Sequence, residues 1–583
     1  METLKATNLN YIQAIDPEAI EKIFYPYVAI NSESGTPAEN AASAYVYRHF
    51  KDHPYFVKHP EHFGLYKVAH DPHQREVAWA MVKGSSNRTI VMVHHFDIVE
   101  IEDFKNHKAF AFNPETLLAS LAEDPEAISE EAMADLKSNQ WIFGRGSADM
   151  KGGGAIQMAI MDAYGHQEDF DGTLILIAVS DEENLSGGMR SAAVLLDELK
   201  DRYQLEYILM INSEPHQRKT PECGMLSGGS IGKILPFVYV RGILAHAGKS
   251  PEGFNPVQIL SEIVRRTEMN PSLADVAEEV GEMSPPPTWL MVRDSKTTYD
   301  VSMPLTAFGC ISFQPLSSMP DQIIRTLVDM ARFSAEEVAA RVNVAADLYH
   351  KHTKRPKRTV RWAPEVLTFS ELIQRCEARF GERFHAFYQD ALKKENDNMY
   401  SGIDNHAEAT WNLLDSILDF LGTDQPMVII GVVPPYYPSV SYLDRAEHTE
   451  VVLGLKQALN ALTTENYGQS YDLEAYFTGI SDLSYVSLKP EEVQTLEVAV
   501  AAQMPLYGDF YAIPFEAIAR NAMPCINIGP WGKDFHKISE RVLKEDLLHR
   551  TPAMVLKAIE TMLGKAGEAS VPAAETQRIH DIS

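Results

Sequence analysis

Apolar residues recur along this chain in two distinct rhythms. The runs Thr89-Ile-Val-Met-Val93, Thr173-Leu-Ile-Leu-Ile-Ala-Val-Ser180, Tyr207-Ile-Leu-Met-Ile211 and Pro524-Cys-Ile-Asn-Ile-Gly529 are short and strand-sized, and Asn527 is the only polar residue inside them. Strands covered on both faces of a parallel sheet read this way. Between and around them, Ala155–Tyr164, residues 188 to 202 and residues 543 to 563 read as helices, as do 17 to 24 and 37 to 50. Strand, crossover helix, strand predicts an α/β fold with a doubly wound mixed sheet. From Gly229 the rhythm changes. Ile231–Arg241 alternates as a long strand, a helix follows from Val257 to Arg266, then a strand over Leu305–Phe313 and a helix from Pro320 to Val342. This predicts an α+β domain inserted into the first. Residues 364 to 422 read as amphipathic helices packed on the surface, and the doubly wound pattern resumes at Pro426-Met-Val-Ile-Ile-Gly-Val-Val433. The predicted organisation is therefore a catalytic domain over 1–228 and 426–566, an inserted lid over 229–350, a helical extension over 351–425 and a polar tail over 567–583.

With 583 residues the chain exceeds what one core supports. Lys and Arg number 52 against 81 Asp and Glu, a net charge of -29, which argues against a nucleic-acid partner. No apolar run approaches the roughly 20 residues of a membrane span. The start, Met1-Glu-Thr-Leu-Lys-Ala-Thr-Asn8, lacks the basic and apolar regions of a secretory signal. Cys223, Cys310, Cys376 and Cys525 are scattered, so no thiolate zinc motif exists and any metal must be held by oxygen and imidazole. A reducing, cytoplasmic setting is expected. The basic run His350–Arg358 reads as a charged loop, with anionic substrate recognition as the alternative. The histidines between His53 and His73, interrupted by prolines, read as a solvated loop with no zinc-type spacing.

Candidate chemistry gathers where the strands end. The first run delivers His94-His95-Phe-Asp97, and strand alternation puts His95 and Asp97 on one face with His94 on the other. Asp97 is placed to hydrogen-bond the imidazole that His95 would offer to a metal. The second run is followed by Asp181-Glu182-Glu183, adjacent acids that repel unless a cation lies among them. The third ends in Ser213-Glu214-Pro215. Asp149 lies between glycine-rich turns in Phe143-Gly-Arg-Gly-Ser-Ala-Asp-Met-Lys-Gly-Gly-Gly-Ala155. Taken singly, each has a plainer reading as a solvated turn or a satisfied strand-end histidine. Together with His536 they suffice for two metals bridged by Asp149, one held also by His95 and Glu214, the other by His536 and Glu183. Three protein ligands and an exchangeable oxygen form the catalytic rather than the structural zinc pattern. Zinc fits these ligands, as do Co²⁺ and Mn²⁺. Glu182 remains free as a proton shuttle.

These motifs resemble the co-catalytic zinc exopeptidase family that includes aminoacylase, acetylornithine deacetylase, succinyl-diaminopimelate desuccinylase and glutamate carboxypeptidase. His95-Phe-Asp97 is similar to its His-x-Asp, Gly144–Gly152 to its bridging-Asp loop, Asp181-Glu182-Glu183 to its Glu pair, Ser213-Glu214-Pro215 to its third acid and His536 to its C-terminal histidine. The resemblance implies a metal-dependent amidohydrolase or exopeptidase acting on a small N-acyl amino acid or short peptide. It also implies a lid that forms a homodimer and lends an oxyanion-stabilising histidine, here His246 in Gly242-Ile-Leu-Ala-His-Ala-Gly248, with Asn255 beside the substrate. The extra length, Phe110–Leu117 and Gly479–Tyr485 resemble the RocB-type branch associated with arginine utilisation. The family's Gly-Thr-rich substrate loop is replaced there, which makes Gly479 and Ser481 candidate substrate contacts. A binding or scaffold protein that kept the fold without catalysis is the rival reading.

Overall fold

The strand Arg88–His95 lies between Thr173–Val179 and Glu206–Asn212 and runs parallel to both. Its residues Ile90, Val91, Met92 and Val93 are completely buried, which is why the run carries no polar alternation. These three strands form the middle of an eight-stranded mixed sheet. Glu76–Lys83 and Phe63–Lys67 extend one edge as antiparallel neighbours. Cys525–Asn527 returns from far along the chain to pair in parallel with Glu206–Asn212, followed outward by Cys223–Ser227 and Ser470–Glu474. In this computed structural model residues 14–167, 170–218, 220–353 and 361–564 are described. The polar tail, the first residues and the end of the basic run from 354 lie outside them. All four cysteines are unpaired.

Helices cover both faces, so the fold is the expected doubly wound α/β arrangement. Ile90 and Met92 pack in one buried cluster with residues of Pro17–Val28, Lys151–Gly165 and Thr551–Leu563. Val91 and Val93 pack in another with Gly187–Tyr203. The pleat therefore sends His94 to the first side and His95 to the second, as the sequence predicts. The helix Lys151–Gly165 crosses the strand ends at close range. A methyl group on Gly153 would fall 2.2 Å from the Ser213 carbonyl, and one on Gly154 would fall 2.6 Å from the His94 ring.

The inserted unit is a five-stranded sheet in the order Thr288–Asp294, Thr306–Ser312, Lys233–Arg241, Met427–Tyr437, Glu365–Thr368. One correction concerns the run at Pro426. It does not resume the doubly wound sheet; it pairs antiparallel with Lys233–Arg241 in the inserted one. Residues beyond 364 are likewise more than a surface extension. Leu372, Phe384, Trp411, Leu414 and Ile417 cover one face of this sheet against Phe237, Tyr239 and Phe308. The helices Val257–Thr267 and Pro320–Thr353 cover the other face, in the same buried cluster that includes Val91 and Val93 of the first sheet. Among the described residues no helix is long and apolar enough to cross a membrane.

The close approach at the strand ends makes a stability prediction. Gly153→Ala is expected to lower the free energy of unfolding by about 1–3 kcal/mol, the usual result of overpacking a closed site. Gly454→Ala lies in the helix Ala446–Tyr467 with nothing within 4 Å of the added methyl, and is expected to be neutral or slightly stabilising. Denaturant titration of the two variants decides; equal effects would contradict the packing described.

Candidate active site

Every predicted ligand sits at or beyond the C-terminal end of a strand or in a loop facing those ends, the position where open α/β sheets place their ligands. His95 Nε2 lies 3.1 Å from Asp149 Oδ1 and 3.5 Å from Glu214 Oε1. His536 Nε2 lies 3.3 Å from Asp149 Oδ2 and 2.9 Å from Glu183 Oε1. Asp149 thus turns one oxygen to each imidazole and stands between two donor sets. His95 and Glu214 belong to one, His536 and Glu183 to the other. His536 adopts a left-handed φ of 62° and Asp181 one of 67°, the kind of local strain that surrounding structure must hold in place.

Several buried devices hold these groups. The His95 ring Nδ1 lies 3.1 Å from the Asp97 carbonyl and 3.5 Å from its carboxylate. Beyond the expected contact with His95, the two Asp97 carboxylate oxygens accept from the backbone N–H groups of Glu182 and Glu183, each at 3.1 Å. Asp97 therefore fixes the acidic turn as well as the histidine. Asp181 faces away from the centre, ion-paired with Arg75 at 2.6 Å, and Arg75 also binds Glu39 at 2.8 Å. Glu39 in turn accepts from the Asp181 N–H at 2.7 Å. On the other side Arg145 binds Glu540 at 2.8 Å, and Glu540 accepts from the N–H groups of Ala148 and Asp149. His94 stays apart, with Gln157 at 3.0 Å and the Tyr27 hydroxyl at 3.2 Å, and burial pushes it down to about 4.

The electrostatics of the cluster call for a cation. Burial holds Glu182 well above the usual carboxylate range, with Glu183, Glu214 and Asp482 adding to the rise against His95. Burial lifts Glu214 to about 7 and raises Glu183, on which Asp149 also acts. Burial opposes the charged form of His95, yet Glu214 and hydrogen bonds to its carboxylate neighbours raise it well above an ordinary imidazole. Hydrogen bonds to Asp149 and then Glu183 lift His536 to about 10. The carboxylates thus outnumber the positive charge available to them. Imidazole and carboxylate donors of this kind suit divalent metal ions, and His95, Asp149 and Glu183 offer donor atoms within 4.8 Å of one another.

A cavity of about 810 Å³ opens onto the cluster, with Glu182, Gly479, Ile480, Lys233, Tyr437 and Trp531 in its wall. Of the predicted substrate contacts, Gly479 lies there. Ser481 does not: it is completely buried, its hydroxyl accepting from Asn212 Nδ2 at 3.0 Å and from the Leu483 N–H, so Ile480 takes its place at the wall. His246 is exposed on a loop of the inserted unit, accepting from the Gly248 N–H at 3.0 Å. Asn255 accepts from the Val257 N–H at 3.0 Å at the start of a helix. Neither lines the cavity of its own chain. Sequence reasoning gave no role to Arg75, Glu39, Arg145 or Glu540; the only signal of the latter pair is that each lies beside a ligand motif. A second histidine cluster, His59, Glu61 and His62, also brings donor atoms within 4.8 Å. Its rings stack 5.1 Å apart with planes at 12°, so their in-plane lone pairs do not converge.

Residues 121–561 match peptidase family M20/M25/M40. The uncharacterized protein YqjN of Bacillus subtilis (strain 168) is 32% identical over 547 residues, covering 92% of this chain and 96% of its own length. Protein RocB of the same organism is 27% identical over 554 residues, covering 92% and 94%. Succinyl-diaminopimelate desuccinylase of Cereibacter sphaeroides is 25% identical over 160 residues, 27% of this chain and 41% of that protein. The crystal structure of aminopeptidase PepT from Bacillus cereus matches with a TM-score of 0.50 at 14% identity, covering 94% of this chain and 100% of that one. At that identity the likeness shows a shared fold.

The Arg145–Glu540 pair is completely buried, so removing one partner strands the other's charge. Arg145→Met is expected to lower stability by about 3–5 kcal/mol, and Arg145→Met with Glu540→Met to recover part of that loss. A denaturant double-mutant cycle reads the coupling; strictly additive effects would contradict the geometry.

Proposed function

We propose, for a chain that belongs to peptidase family M20/M25/M40 and is therefore a metal-dependent hydrolase, that it cleaves the amide bond of a small N-acyl amino acid or short peptide with two divalent ions held around Asp149. The observation that carries this reading is the two-sided Asp149, with an imidazole 3.1 Å from one oxygen and another 3.3 Å from the other. His95 and Glu214 would complete one ion's ligands, His536 and Glu183 the other's. Such ions would polarise the substrate carbonyl and make water a stronger nucleophile near neutral pH. The family membership leaves no reason to prefer a non-catalytic scaffold.

Glu182 is the proton carrier in this proposal. Its backbone is fixed through Asp97, and its side chain lines the cavity beside the ligand cluster. As the water oxygen bonds to the carbonyl carbon, Glu182 accepts the water's proton. It then delivers that proton to the amide nitrogen as the carbon–nitrogen bond breaks, and is restored as a carboxylate. Arginine-related substrates are favoured by the RocB-type motifs, with which the 27% identity to RocB agrees.

We further assign His246 and Asn255 to the cavity of a second copy of the chain. The support is that His246 is exposed and bridges Ser302, in the segment that joins the edge strand Thr288–Asp294 to Thr306–Ser312, and that Leu290 and Val292 of that strand are 59% and 48% exposed, while Asn255 is half-buried at the start of the helix Val257–Thr267 of the same unit. An uncovered edge strand with outward apolar residues favours association. His246 would there donate to the developing oxyanion.

Glu182→Gln is expected to lower kcat by about 10²–10⁴ while leaving metal content unchanged, and His246→Ala to lower it by about 10²–10³. Mixing the two inactive proteins and allowing subunit exchange should restore activity, because the hybrid then carries one site with both groups intact. No restoration from demonstrably mixed dimers would place His246 outside the partner's site.

A further inference from the structure

Lys233 begins the strand Lys233–Arg241, where the chain passes from the site-bearing sheet to the inserted one, and its cross-strand neighbour is Tyr437. Both residues line the cavity with Glu182. The other cations of that wall are engaged. Arg218 binds Asp546 at 2.9 Å, Arg541 binds Asp135 at 2.8 Å, and Lys533 binds Glu131 at 2.8 Å. Lys537 lies 3.8 Å from Asp534 and is 69% exposed, so water screens it. Lys233 differs from all of these. Among the described residues its ammonium has no hydrogen-bond or ion-pair partner. Burial holds it below the ordinary lysine range, and Glu182 is the acid that draws it the other way.

A half-buried ammonium without a counter-ion is costly, and a structure keeps one where something else supplies the opposite charge. Glu182 cannot serve as a permanent partner if it is to take up and release a proton in every turnover. The vacant interaction therefore points into the cavity. We propose that Lys233 selects substrates carrying a carboxylate, which docks against its ammonium and orients the scissile bond toward Glu182. The inference rests on the amide-hydrolase reading and narrows it to anionic substrates. The carboxylate could be the α-carboxylate of the amino acid that is released, or one carried on the acyl arm. Either way, an arginine-related substrate would have to turn its guanidinium away from Lys233.

Matched substrate pairs separate these sources: N-acyl amino acids against their carboxamides, and succinyl amides against butyryl amides. The wild-type protein should prefer the anionic member of one pair by about 10–100-fold in kcat/KM, the range of a hydrogen bond to a charged group. Lys233→Met should collapse that preference mainly through KM, and Lys233→Arg should retain part of it. The pair that collapses identifies the source of the carboxylate. An unchanged preference in Lys233→Met, or an equal fall in kcat for both members of every pair, overturns the proposal. Calorimetric binding of the same pairs to Glu182→Gln and to the double variant with Lys233→Met reads discrimination without turnover. If no pair is cleaved by the metal-loaded wild-type protein, the amide-hydrolase reading fails. The binding discrimination still decides the role of Lys233: lost with Lys233→Met it stands, retained or absent it falls.

Discussion

An excess of buried negative charge at one end of a sheet is the constraint on which the rest of this structure depends. Asp149, Glu182, Glu183, Glu214 and Asp482 crowd around two imidazoles, and all but Asp149 are held above the ordinary carboxylate range, with burial the largest cause for each. Asp149 is the exception because His536 and His95 both hydrogen-bond it, which outweighs its burial. Such a cluster persists only when its surroundings fix every acid in place. Arg75 draws Asp181 out of the group, Arg145 and Glu540 grip the backbone of the Asp149 loop, and Asp97 uses its carboxylate on the backbone of the acidic turn. The tight glycine contacts of the helix Lys151–Gly165 serve the same end, by bringing that loop against the strand ends.

The inserted unit belongs to this arrangement rather than hanging from it. A single buried cluster runs from Val91 and Val93 through Tyr437 and Tyr485 to Val238 and Ile430 of the five-stranded sheet. At the other border Glu282, in a short hairpin of the inserted unit, accepts from the N–H groups of Ala475 and Tyr476 just before the segment that reaches Gly479. The cavity wall therefore draws on both sheets. Packing on this scale is stiff, so small shifts in either unit are felt at the wall.

Much of this was legible in the sequence, and the parts that were not share a physical cause. His95, Asp149, Glu183, Glu214 and His536 stood out because short polar motifs directly follow or face strands whose apolar runs are unmistakable. The run at Pro426 was misplaced because strands covered on both faces look alike in either sheet: Met427–Tyr437 is buried throughout. Ser481 was misread because periodicity does not say which way a turn residue faces. The Arg145–Glu540 ion pair spans 395 positions, and nothing local in either segment announces the other. Asp97 sat in the expected place, but its bonds to Glu182 and Glu183 depend on how two strand ends meet.

Anomalous diffraction from crystals grown with zinc is the most direct test of the proposal that Asp149 stands between two metal ions. Two peaks about 3.5–4 Å apart, the usual spacing of paired catalytic ions, are expected. One should adjoin His95 and Glu214, the other His536 and Glu183, with one Asp149 oxygen at each. A single peak, or zinc bound away from Asp149 at full occupancy, would rule out a two-metal centre bridged by Asp149.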